Sequence, residues 1–74
     1  MNKERRKTIE GILADLRLAV ADVAGLQEDE QESFDNMPES LQSSDRGQAS
    51  EEAIDYLSNA QSGIEDAIEN LENI

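Results

Sequence analysis

The chain has 74 residues and a formal net charge of −12, from 18 acidic and 6 basic side chains, with one Phe, one Tyr and neither cysteine nor histidine. A single domain of this size buries only about 60 % of the surface its unfolded chain exposes, and without thiols no disulfide framework or thiolate metal site can supplement its core. The missing His and Cys also remove the usual nucleophile and base partners, so neither an enzyme nor a cofactor is expected. The acidity opposes direct nucleic-acid binding over the surface as a whole.

The chain opens on a basic cluster, KERRK, at Lys3 to Lys7. No apolar run of signal-peptide or membrane length follows it, because Asp15, Arg17 and Asp22 interrupt the pattern; a cytoplasmic protein without a membrane segment is expected. From Ile9 the apolar residues fall on one helical stripe. Ile9, Leu16 and Val23 recur every seven, flanked by Ile12, Ala19 and Leu26 on one side and by Leu13 and Val20 on the other. This predicts a helix over about Asn2 to Glu32. Its acidic end, Glu28 to Glu32, opposes the macrodipole, so the helix either continues through the run or loosens after Gly25.

The middle of the chain reads FDNMPESLQSSDRG, Phe34 to Gly47. Asn36 with Pro38 and Glu39 has the spacing of a capping box, which predicts a short helical turn beginning at Asn36. Phe34, Met37 and Leu41 can then close the end of a hairpin as an apolar lid. Ser43, Ser44, Asp45 and Gly47 are turn formers, and a connection over about residues 33–49 is expected.

The second helix is expected over about Ser50 to Asn73. Leu57, Ile64 and Leu71 recur every seven beside Ile54 and Ile68, and the column Ala53, Ala60, Ala67 predicts the closest approach of a neighbouring helix. The echo AIDYL at Ala53 and AIENL at Ala67 lies two heptads apart, which is coiled-coil repetition. Glu65, Asp66, Glu69 and Glu72 close this helix. Folding back places them beside the basic cluster, where each charge cluster offsets the other. The fold expected is all-α, an antiparallel two-helix hairpin, whose broad apolar stripes call for assembly into a helical bundle as a dimer or higher homo-oligomer.

Glu4 to Lys7 (ERRK), Phe34 to Gln42 (FDNMPESLQ), Ser44, Arg46 and Gly47, and Glu51 to Leu57 (EEAIDYL) together resemble small acidic helical proteins of bacteriophages and mobile elements, mainly of Gram-positive hosts. The resemblance spans nearly the whole chain, and the central motif is its specific part. It implies a viral origin. By analogy with compact phage proteins that lack catalytic residues, it implies an inhibitor of host defence, some all-helical members of that class being homo-oligomeric sponges for nucleotide immune signals.

Three roles follow from the residues. In the first, a sponge, Arg46 with Gln42, Ser43, Ser44 and Asn36 meets Arg5, Arg6 and Lys7 of another subunit around a phosphorylated ligand such as a cyclic or ADP-ribose-type nucleotide. Against it stands a local pairing of Arg46 with Asp45 or Glu39. In the second, outward acids such as Glu10, Asp15, Asp22, Asp55, Glu65 and Glu69 imitate a row of phosphates and occupy the basic groove of a host defence enzyme, such as a CRISPR nuclease. The third is a structural adaptor that uses Leu18, in line with Gly11 and Gly25, as a second contact. Glu28, Asp29 and Glu32 lack the glycine and ligand spacing of a calcium loop, and no carboxylate pair is placed for acid–base chemistry.

Overall fold

Three helices make up the computed structural model, which describes all 74 residues, Met1–Ile74: α1 (Lys3–Asp35), α2 (Glu39–Gln42) and α3 (Asp45–Glu72). Asn2, in extended conformation, starts α1 by accepting a hydrogen bond from the Arg5 amide at 2.8 Å. From there α1 runs for 33 residues, about 50 Å at 1.5 Å per residue. It passes through the acidic run and ends at Asp35 rather than near Glu32. Glu30 explains the continuation, because its carboxylate faces α3 and accepts from the Ser50 hydroxyl at 2.7 Å. Gln31 adds a bond to Asp35 one turn on, at 2.9 Å.

The expected capping box at Asn36 does not form. Asn36 keeps near-helical angles (φ −85°, ψ −4°) and caps the C-terminus of α1, its amide donating to the Glu32 carbonyl. An N-cap must be extended, and Pro38 (φ −58°, ψ 147°) fills that position for α2 without a side-chain bond. The single turn of α2 then ends at Ser43, and Ser44, extended again, precedes α3.

The second long helix starts at Asp45, five residues before the expected Ser50. Arg46 and Gly47 therefore belong to α3 and not to the turn, and no glycine in the chain has a positive φ. Gly47 is buried for lack of room: a β-carbon there would lie under 3.0 Å from the carbonyl oxygens of Leu41 and Gln42. Ser50, only 4 % exposed, occupies the inner face and not a cap. The closest packing thus sits at Gly47 and Ser50. It does not follow the alanine column, in which Ala60 is exposed and Ala53 and Ala67 are half-buried.

α1 and α3 pack antiparallel into a rod of 58 × 14 × 13 Å. Their register is set by two hydrogen bonds, Ser50 to Glu30 near the closed end and the Arg6 guanidinium to the Ile74 carbonyl (3.1 Å) at the open end. Leu13, 8 % exposed, is the one buried large apolar side chain; the other large apolar residues of the inner columns are half-covered. Two helices alone leave each stripe partly wet, as the width of the stripes predicts. No helix is long and apolar enough to cross a membrane.

Candidate functional site

The turn at the closed end is built by side chains folded onto backbone carbonyls. Gln42 donates through Nε2 to the Phe34 carbonyl at 3.1 Å and so ties α2 to the end of α1. Ser43 donates to the Glu39 carbonyl at 3.4 Å, and Ser44 to the Leu41 carbonyl. These contacts leave the two serine oxygens and the Gln42 carbonyl able to accept further bonds. Asn36 has no side-chain hydrogen bond within the chain, and its amide lines an open polar groove with Gln27, Gln31 and the acids Glu28, Glu32 and Asp35. Phe34 and Met37 are half-buried as a lid, while Leu41 is 40 % exposed.

Arg46 is exposed and forms no ion pair, so neither Asp45 nor Glu39 holds it. The other basic residues lie at the far end of the rod. Arg6 is held by the carbonyls of Met1 (3.4 Å) and Ile74, whereas Arg5 and Lys7 are exposed and take part in no ion pair. The expected pairing of the basic cluster with the acids of the second helix is thus replaced by one bond between Arg17 and Glu72, at 3.8 Å between half-exposed side chains. Within one chain, Asn36, Gln42, Ser43, Ser44 and Arg46 gather at the closed end and Arg5, Arg6 and Lys7 at the open end. A single hairpin does not bring the two groups together.

The helical columns show which way each group faces. On α1, Glu10, Arg17, Ala24 and Gln31 follow one flank of the inner stripe, and Arg5, Ile12, Ala19, Leu26 and Ser33 follow the other. On α3 the two flanks are Glu51, Ser58, Glu65, Glu72 and Arg46, Ala53, Ala60, Ala67. The Arg17–Glu72 pair puts the polar flanks on one side, as does a cleft lined by Gln31 and Glu51. The remaining flanks therefore share the opposite side, since like flanks meet in an antiparallel pair. That side is an apolar strip carrying Ile12 (43 % exposed) and Leu26 (57 %) among alanines, with Arg5 at one end and Arg46 at the other.

Charge is distributed unevenly along the rod. The open half, residues 1–19 and 60–74, carries five bases against seven acids, a formal −2; the closed half, residues 20–59, carries Arg46 alone against eleven acids, a formal −10. Composition reveals the total but not this segregation, which appears once the register is known. No group of three or more acids is arranged to hold a metal ion. Leu18 is 69 % exposed on the outer surface, and Gly11 and Gly25 beside it have open space around them. No protein-family model, curated protein or solved structure matches the chain.

Proposed function

We propose that the protein acts by sequestration and not by catalysis, as a homo-oligomeric, phage-type counter-defence sponge for a nucleotide-derived signal in the host cytoplasm. The observation that carries this reading is the placement of Arg46 and Arg5, two unpaired guanidinium groups at opposite ends of the same apolar strip. An association that covers the strip can bring Arg46 of one chain to the basic end of another. Two guanidinium forks then grip a phosphate by charge-assisted, bidentate hydrogen bonds. Asn36, Gln42 and Ser43 lie at the same end of the rod but toward the polar flank of Gln31 and Glu51, so the grip on the ligand falls to the guanidinium groups.

The deciding experiment is mass spectrometry of the native protein after mixing with cyclic dinucleotides, ADP-ribose-type cyclic nucleotides and mononucleotide controls. The expected result is an oligomer that holds a stoichiometric nucleotide, with binding lost on Arg46→Ala and the oligomer intact. A bare oligomer across the whole panel sinks the sponge reading.

The formal charge of −10 on the closed half supports a second reading, an acidic inhibitor that docks in the basic groove of a host defence enzyme. This binding would be little changed by Arg46→Ala. It would fall with Glu28→Lys and Glu32→Lys, which leave the apolar strip untouched.

A further inference from the structure

We infer that the apolar strip is covered by a second copy of this chain lying antiparallel, so that two hairpins form a four-helix bundle with a composite basic site at each end. The inference rests on the homo-oligomeric reading above and specifies its geometry.

Area argues for an occupant. A compact protein of 8.2 kDa exposes about 4,500 Å², whereas this rod exposes 5547 Å², an excess of roughly 1,000 Å². One long side of the rod, 58 by 14 Å, offers roughly 800 Å², which is the share of each partner in a standard interface. The strip is suited to close contact, because its middle is lined by the small side chains of Ala19, Ala60 and Ala67. Ile12 and Leu26 stand on either side of that midpoint. An antiparallel copy would set each of them against the Leu26 or Ile12 end of the other strip.

Charge selects the direction. A parallel pair would stack a −10 half on a −10 half, whereas an antiparallel pair sets each −10 half beside a −2 half that carries five of the six basic residues. The register leads to the same arrangement. Arg46, in the first turn of α3, lies beside the C-terminal end of α1, which ends at Asp35. A two-fold axis through the middle of α1, near Ala19, carries Arg5 of the second copy to nearly that level. Arg46 and Arg5 thus come to one place from two chains. Their mutual repulsion is relieved when an anion sits between them, which makes the site incomplete in a single hairpin.

The test uses the full chain, which has no cysteine of its own. Ser40→Cys places one spin label on α2, exposed at the tip of the closed end and away from the strip. Pulsed electron–electron dipolar spectroscopy then reads the distance between tips. The antiparallel bundle places the labels about 55 Å apart, close to the full rod length of 58 Å. A parallel pair would bring them within about two rod widths of 14 Å, and that result overturns the inference while leaving homo-oligomerisation standing. Absence of any dipolar coupling, with a monomer mass by sedimentation, overturns both. A distance near 55 Å together with no nucleotide binding would uphold the bundle and reject only the sponge.

Discussion

Gly47→Ala should destabilise the protein even though alanine is the better helix former. In an open helical position the exchange gains about 1 kcal/mol. At Gly47 the new methyl group meets backbone, the Gln42 carbonyl group nearest and the Leu41 carbonyl oxygen next at 2.5 Å, where ordinary contact begins at 3.4 Å. The Leu41 carbonyl would have to retreat by about 1 Å and the Gln42 carbonyl by more, and both belong to α2, which is tied to α1 through Gln42. Overpacking against such an obstacle costs about 3 kcal/mol, at the upper end of the usual range, leaving a net loss of about 2 kcal/mol. For a chain of this length that lowers the melting temperature by about 8–16 °C. Gly11 and Gly63 provide internal controls: both are helical with nothing within 4 Å, so alanine there should raise the melting temperature by about 4–8 °C. Thermal unfolding followed by circular dichroism, at matched protein concentrations because assembly shifts the midpoint by mass action, compares the three variants. A Gly47→Ala protein as stable as Gly11→Ala would refute the close approach of α2 to α3.

Three further substitutions probe the rod from its core outward. Leu13→Ala, at the one buried large side chain, should cost about 2–4 kcal/mol in denaturant unfolding; a loss below about 1 kcal/mol would mean that the inner columns pack elsewhere. Ser50→Ala removes the donor to Glu30 and leaves a half-buried carboxylate without it, an expected loss of about 1–2 kcal/mol, and a double cycle with Glu30→Gln should show coupling between the two positions. Arg17→Ala breaks a pair whose side chains are 56 % and 52 % exposed, so it should change stability by less than about 1 kcal/mol at low salt and by nothing measurable at high salt.

The two long helices and their antiparallel pairing were legible in the sequence because heptad spacing is a long-range signal: Ile9 to Val23 and Leu57 to Leu71 repeat whatever the ends do. The outer ends, at Asn2 and Asn73, were legible to within a residue, but the ends at the closed tip were not. Asn36-Met37-Pro38-Glu39 matches a capping box residue by residue, yet Asn36 was claimed by the helix before it, whose last amide bonds already held it in near-helical angles. Ser50 and Gly47 were misread for a related reason. Both residue types favour helix starts and turns; only the position of α2 reveals that Gly47 is small because two backbones meet, and only the position of Glu30 that Ser50 turns inward. The candidate ligand residues form a central and an N-terminal group in the sequence. Their separation to opposite ends of the rod is a property of the register, which no local pattern encodes.

The hydrogen bond from Arg6 to the terminal carbonyl of Ile74 has a topological meaning as well as a charge. It brings the two chain ends to one place, so the hairpin is nearly a closed loop with a single gap. A few glycines and serines would span that gap, and the loop could then be reopened at the other tip, between α1 and α2, giving a permuted chain in which α3 precedes α1. The inner columns, the Glu30–Ser50 bond and the apolar strip would all be retained. A permuted chain that unfolds at the same temperature would show that the matching of two helical surfaces specifies this fold, whatever the order in which the chain visits them.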